Sequence, residues 1–335
     1  MLKETTFRKL FDDFNKLNIM VIGDVMIDSY LWGKVDRISP EAPIPIVALR
    51  KRENRLGGAA NVAMNIHALG ANPILCSVIG ADAKGDQFVE LLNNVNISDT
   101  GIVRSSKRIT TTKFRIFGNS CQMMRVDDEM VDDLAEADQK ALFRSIEKIM
   151  AKVKIDCIIF QDYDKGVINP WLINEVVQLA RELKIPVTVD PKKKNFLAYR
   201  NVTLFKPNLK ELKEGLNLEI EMTDNQSVVE SVQLLRKKLG CQYVLATMSE
   251  KGVLISYKER KEDINKFIPA FLRSISDVSG AGDTVITVAS MCLALNRSPY
   301  EIAYISNLAG GLVCEEVGVV PLNKEKLLAE VIQLL

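Results

Sequence analysis

Histidine is nearly missing: His67 is the only one in 335 residues. A Ser-His-Asp triad or a multi-histidine metal site would have to use it. Yet it lies in Asn65-Ile66-His67-Ala68-Leu69, inside an apparent helix, where a structural role is the expectation. Base chemistry therefore falls on a carboxylate, lysine, cysteine or tyrosine. Net charge is nearly missing too, at +1, so nothing points to nucleic acid or an anionic membrane as partner. The six cysteines (Cys76, Cys121, Cys157, Cys241, Cys292, Cys314) are scattered, and no pair has metal-ligand spacing. Reduced thiols in a cytoplasmic protein are the expectation. No apolar run approaches a membrane span, and residues 1–17 lack the apolar core of a signal peptide. Two nucleotide fingerprints are also missing. No G-x-x-x-x-G-K-[ST] occurs. After the first expected strand, Gly23-Asp24-Val25-Met26 leads into a proline-bearing segment, not the helix that a dehydrogenase fingerprint opens.

What is present is organised around Asp277-Val278-Ser279-Gly280-Ala281-Gly282-Asp283-Thr284, followed at once by apolar Val285, Ile286, Val288, Ala289, Met291 and Leu293. This pattern predicts a tight turn opening into a buried helix. Gly280, Ala281 and Gly282 leave little above the first backbone N–H groups, where a phosphate can settle. Asp283 would stand beside that anion, poorly placed to bind it but well placed to take a proton from an attacking hydroxyl. Alone, the stretch is equally an ordinary Gly-rich turn capped by Asp277 or Ser279.

In chain order, residues 6–17 suit an amphipathic helix and residues 19–24 a buried strand, with Asp24 and Asp28 beyond its carboxyl end. Residues 30–33 and 44–49 read as two short strands around Arg37 to Pro43. Pro40, Pro43 and Pro45 bar this segment from a central sheet position, which makes it a flap with a possible dimer surface. Gly57-Gly58-Ala59-Ala60-Asn61 opens a helix ending at Leu69-Gly70; it is a dock for a polyol or phosphate, or simply close helix packing. Strand 73–79 and helix 84–94 follow. Residues 109–117 and 121–126 pair about Gly118-Asn119-Ser120, a hairpin rich in polar residues that include Arg115 and Arg125. From residue 138 onward helices and strands alternate, with polar turns at Gln161 to Gly166, Asp190 to Lys192 and Lys206 to Glu211. Such alternation predicts a parallel sheet covered on both faces, with these turns on one rim. Strands between 252 and 269 look antiparallel, and helices 280–295, 299–317 and 323–335 close the chain. No linker or repeat is visible, so residues 1–335 read as one domain with lid strands at about 30–50 and 109–126.

These residues together resemble the ribokinase-like (PfkB-type) carbohydrate kinases over nearly the whole chain. The early Gly-Gly signature stands as Gly57 to Asn61 with Gly70, and the late one as Asp277 to Thr284. Gly23 to Asp28, Arg37 to Pro45, Gly57 to Asn65, Asp162-Tyr163, Lys165-Gly166, Asp190-Pro191-Lys192 and Pro207 to Glu211 are similar to the heptose 7-phosphate kinase branch. Asp164 and Lys193 depart from it, where a small residue and glycine are usual. The nucleotidyltransferase half known in that branch has no counterpart, which implies a free-standing kinase.

The resemblance implies a three-layer α/β/α sandwich with a mostly parallel central sheet and a small β-strand lid. It implies ATP and Mg²⁺, a sugar phosphate substrate, and a homodimer formed through the lid. Asp283 becomes the base, and Gly280, Ala281 and Gly282 the anion hole. Asn208 and Glu211 would arrange Mg²⁺, its waters and the nucleotide phosphates. Thr247, Ser249 and Gly252 would hold nucleotide, with Asn307 beside the adenine. Asp28, Gly57, Gly58, Asn61, Asp162, Lys165 and Asp190 are the expected sugar contacts. Lys192, Arg115 and Arg125 are the candidates for the sugar's own phosphate. Two other readings remain open: a kinase of another sugar or nucleoside, and a sugar-binding regulator that has lost its base.

Overall fold

The structure is a computed structural model that describes residues 2–119, 121–218, 224–271, 273–316 and 318–334. Nine strands form the main sheet. They are β1 (Asn18–Gly23), β4 (Asn72–Gly80), β5 (Gly101–Ser105), β8 (Cys157–Gln161), β9 (Val187–Asp190), β10 (Leu204–Phe205), β11 (Tyr243–Thr247), β12 (Val253–Glu259) and β13 (Glu262–Ile268). Their order is β13-β12-β11-β10-β9-β8-β1-β4-β5, and every pair is parallel except β11–β12 and β12–β13. Four more strands form a second sheet in the order β3-β2-β6-β7: β2 (Val25–Ile38), β3 (Pro45–Gly58), β6 (Thr112–Gly118) and β7 (Cys121–Asp128).

Strand alternation divides the core. Successive side chains point to opposite faces of a sheet. Ile19 and Val21 of β1 join one apolar layer, Met20 and Ile22 the other. The first layer is covered by α1 (Leu2–Phe14), α2 (Ala59–Ala68), α3 (Ala83–Asn94), α8 (Ala281–Ala294), α9 (Pro299–Val313) and α10 (Lys324–Leu334). The second is covered by α4 (Glu136–Met150), α5 (Pro170–Glu182), α6 (Leu209–Leu216) and α7 (Asn225–Leu239). Helices on both faces explain the continuous apolar runs in the sequence. Each fully buried Ile, Leu or Phe contributes roughly 1.5–3 kcal/mol. The expected three-layer arrangement with an antiparallel edge is present. No helix among the described residues is long and apolar enough to cross a membrane, and all six cysteines are free.

The lid differs from expectation. In place of two short strands, β2 and β3 each run 14 residues, and β3 continues into Gly58. The charged stretch Arg50-Lys51-Arg52 is exposed, so the strand carries no apolar alternation there. Pro40 and Pro43 lie in the turn and Pro45 begins an edge strand, positions a proline tolerates. The short edge strand β5 and the helix α6 were not foreseen. Ser120, Val317 and Leu335, which close the expected hairpin turn and two expected helices, lie outside the described residues.

Asp24 shows how the sheet's rim is built. Its buried carboxylate accepts the N–H groups of Tyr163 (2.9 Å), Lys165 (3.2 Å) and Val167 (3.0 Å). It holds a turn and is not left open to a ligand. Each buried donor left unpaired costs about 1–3 kcal/mol. Asp24→Ala should therefore lower unfolding free energy by at least about 2 kcal/mol in urea titration; an unchanged midpoint would contradict this role.

Candidate active site

Four neighbouring strands run β10, β9, β8 and β1, and α8 packs on β8 and β9. Alternation decides what they present. Ile159 belongs to the α8 layer and Phe160 to the opposite one, so Gln161 returns to the α8 side. By the same count Asp190 after Val189, and Lys206 after Phe205, face α8. Thr188, two residues before Asp190, meets Ser290 of α8 at 2.7 Å.

Asp283 lies in the first turn of α8 and is buried. Its Oδ2 accepts a hydrogen bond from Asn61 Nδ2 at 2.7 Å. Its Oδ1 accepts from the Tyr163 hydroxyl at 2.8 Å and from Gln161 Nε2 at 3.1 Å. Burial pushes this carboxyl up to about 6, and neighbouring Asp190 adds to the shift; the bonds from Asn61 and Tyr163 and the charge of Lys206 oppose it. Burial also holds the Tyr163 phenol well above its usual range, so it stays a donor. Asn61 Oδ1 and Gln161 Oε1 are buried without a partner. Two acceptors thus stand ready for hydroxyl groups, since an unmet buried acceptor is costly.

Gly280 caps α8 at φ 81°, the left-handed region that glycine adopts without strain, and no side chain caps this helix end. The Ala281 N–H turns back to the Val278 carbonyl at 3.3 Å, which leaves the Gly282 N–H for an anion. Asn61 enters from α2, whose N-cap is Gly58. Gly57 makes room for the lid: a Cβ there would lie 2.4 Å from Asp28 Oδ2. Asp28, on β2, pairs with Arg115 of β6. The guanidinium groups of Arg55 (4.9 Å) and Arg115 (5.4 Å) both lie over the Tyr30 ring. Arg125 is the cross-strand partner of Arg115 and bonds Asp127 at 2.9 Å.

Other expected contacts are placed differently. Asp162 follows Gln161 and so points into the opposite layer, where it accepts from Tyr199 (2.7 Å) and Asn195 (3.1 Å). Burial and the adjacent Asp24 push its carboxyl up to about 6. It holds its loop and does not face the Asp283 pocket. Lys165 reaches the lid, where it bonds Glu129 at 2.6 Å beside Lys113. Asp190 forms a buried ion pair with Lys206 at 3.0 Å. Lys192 pairs with Glu211, apart from Arg115 and Arg125. Burial works against the Lys192 charge, but Asp190 and Glu211 outweigh it and raise its pKa.

Asn208 and Glu211 form the capping box of α6: Asn208 Oδ1 accepts from Glu211 N at 2.8 Å, and Glu211 Oε2 from Asn208 N at 2.9 Å. Thr247 bridges to Asn208 at the end of β11. Ser249 opens the following 3₁₀ turn and Gly252 closes it. Asn307 donates to the Pro269 carbonyl at 2.9 Å, pinning the segment that follows β13. Among the described residues no group of three or more His, Cys, Asp or Glu is arranged for a metal ion. Both Glu211 oxygens are engaged, one by Lys192 and one by the Asn208 N–H. His67 is exposed in the last turn of α2, away from these groups. Gln161, Tyr163 and Lys206 were not singled out from the sequence as site residues. Their parity with the apolar residues before them on each strand, at least for Gln161 and Lys206, was the available signal.

The pfkB family carbohydrate kinase profile matches residues 16–326. The bifunctional protein HldE of Aliarcobacter butzleri is 37% identical over 304 residues, covering 90% of this chain and 62% of that protein. The bifunctional protein HldE of Geobacter sulfurreducens is 35% identical over 318 residues, covering 95% and 63%. The chain thus spans a little over three fifths of the length of these relatives. Phosphofructokinase-2 from Escherichia coli, solved with potassium, superposes with a TM-score of 0.76 at 19% identity, over 94% of this chain and 99% of that one. Ribokinase from Arabidopsis thaliana, complexed with ribose and ATP, gives 0.70 at 16%, over 95% and 99%. These two likenesses show the ribokinase-like fold. With the profile matched along most of its length and relatives above one third identity, the chain belongs to the pfkB family of carbohydrate kinases and is a sugar kinase.

Proposed function

We propose that this kinase transfers the γ-phosphate of ATP to the C1 hydroxyl of D-glycero-D-manno-heptose 7-phosphate, a step toward ADP-heptose and lipopolysaccharide. The observation that carries the reaction is Asp283: a buried carboxylate, pushed up to about 6, beside the uncapped N-terminus of α8. The acceptor hydroxyl lies against Asp283, with neighbouring hydroxyls on Asn61 Oδ1 and Gln161 Oε1. As its oxygen bonds phosphorus, the proton passes to Asp283. The bond from phosphorus to the β-phosphate oxygen breaks, and ADP leaves with that electron pair. The uncapped start of α8, at Gly280 and Gly282, receives the equatorial oxygens. Asn208, Glu211, Thr247, Ser249, Gly252 and Asn307 border the nucleotide. Glu211 is the carboxylate that would hold Mg²⁺ through water, and the ion would supply charge neutralisation at the phosphates.

The substrate follows from the branch that the sequence motifs resemble, and the HldE relatives align over nine tenths of the chain. A substrate already carrying phosphate fits Arg115 and Arg125, which lie opposite each other on the lid. We assign the lid a second role, as the surface on which two copies pair. Met124, Val126, Ile44 and Leu49 are exposed there, with Met124 at 58%. The free thiols fit the cytoplasm as its compartment.

Asp283→Asn should keep ADP binding by calorimetry while turnover falls about 10²–10⁴-fold; an active variant would sink the assignment of the base. Because the ionised form is the base, kcat/KM should fall tenfold per pH unit below about 6. Tyr163→Phe removes a donor that favours ionisation, so this acid limb should move to higher pH. An unmoved limb would show that it reports another group. A screen of sugar phosphates with ATP and Mg²⁺, read by ADP release, should favour the heptose 7-phosphate. Equal rates with fructose 6-phosphate or ribose would refute that substrate. Light scattering should give a dimer that Met124→Lys with Val126→Lys converts to monomer; a wild-type monomer would remove the lid interface.

A further inference from the structure

We propose that Arg108 is a positioning residue: its guanidinium fastens the turn that carries Tyr163 to both roots of the lid hairpin β6–β7, and so holds the Tyr163 hydroxyl on Asp283. This inference rests on the kinase reading above in taking Asp283 as the base. It gives a role to a residue outside both glycine signatures.

Arg108 lies between β5 and β6 and is 8% exposed. A buried guanidinium has five donors and must find partners for them. Here the partners are backbone carbonyls. One terminal nitrogen, Nη1, donates to the Asp132 carbonyl at 2.9 Å. The other, Nη2, donates to the Met130 carbonyl at 3.3 Å and to the Lys165 carbonyl. Met130 and Asp132 follow β7, where the chain leaves the lid; Arg108 itself precedes β6, where the chain enters it. Lys165 stands two residues after Tyr163, in the turn behind β8. One planar fork thus ties both crossings of the lid hairpin to that turn.

The surrounding contacts close the joint. The Leu134 N–H donates to the Gly166 carbonyl at 3.0 Å, and a Cβ on Gly166, at φ 84°, would run into the Asp132 carbonyl. Asp24 grips the same turn from its N–H side, accepting Tyr163 N at 2.9 Å, and the Arg108 charge reaches that carboxylate. The turn is therefore held by an anion at its N–H groups and by a cation at a carbonyl. From it the Tyr163 hydroxyl meets Asp283 at 2.8 Å, a bond that favours the ionised carboxylate. Other charges face these groups. Asp190 and Lys206 act on Asp283; Asp190, Asp28 and Lys192 lie about Tyr163; and Asp24, Asp132, Asp133 and Asp138 surround Arg108. All of them stay in place when Arg108 alone is changed. Loosening the fork frees the turn, weakens the Tyr163 bond and so raises the pH at which Asp283 ionises.

If Arg108 only filled space or balanced Asp24, its loss would lower stability and leave the base unchanged. Arg108→Lys separates the two, because it keeps the charge while one ammonium cannot reproduce the fork. The readout is the ionisation midpoint of Asp283 by ¹³C NMR, without substrate, in variants checked for folding by circular dichroism. Tyr163→Phe sets the scale and should raise the midpoint by about one pH unit. Arg108→Lys should raise it by at least half as much, and should add nothing in the Tyr163→Phe background. Arg108→Gln, which retains an N–H donor but no charge, should do the same and serves where the lysine variant does not fold. A midpoint that moves by less than half of the Tyr163→Phe shift, or a shift that persists in the Tyr163→Phe background, would overturn the proposal. The titration needs no turnover, so its outcome is distinct from the kinase reading, which wild-type ADP release tests separately.

Discussion

The structure depends on keeping one ionisable carboxyl, Asp283, buried at the start of a buried helix. Burial alone would hold such a group protonated. Here three side-chain donors from three different elements converge on it: Asn61 from α2, Gln161 from β8, and Tyr163 from the turn behind β8. The balance leaves the carboxyl near 6, ionised at neutral pH but still close to a useful base. Placing those donors requires the packing of α2 against α8 and the turn tied down by Asp24. The apolar layers thus serve the chemistry through geometry: they fix which residues meet, and the donors fix how basic Asp283 is.

A second consequence follows from sheet parity. Gln161 and Asp190 end their strands and Lys206 follows the next one, all on the α8 side, so a row of an amide, an acid and a base lies on that face. Asp190 and Lys206 come from different strands, which lets the strand spacing set their separation. Asp162, one residue later on its strand, is sent to the other face and is absorbed by Tyr199 and Asn195.

Much of this was legible in the sequence, and the misses have definite causes. The α8 turn was visible because small residues between acids before an apolar run leave few alternatives. The β-α alternation was visible because strands buried on both faces stay apolar throughout. Asp162 was expected as a sugar contact from its place in the family motif, and parity from Ile159 and Phe160 sends it instead to Tyr199 and Asn195. Lys206 was named only as part of the polar turn after its strand and given no role of its own. The helix α6 was missed although Asn208 and Glu211 have capping-box spacing. The length of β2 and β3 was hidden because strands exposed toward their tips show no apolar alternation. Lys192 resembled a sugar-phosphate ligand by position in its motif; only the side chains reveal that Glu211 claims it.

The most direct measurement is a ¹³C NMR titration of the aspartate carboxyl carbons, with the Asp283 signal assigned from the Asp283→Asn spectrum. A midpoint near 6 is expected for a buried carboxylate supported by three donors. A midpoint at or below the ordinary value of about 4 would mean that burial does not tune this group, and Asp283 would then be an ordinary acid at a Gly-rich turn.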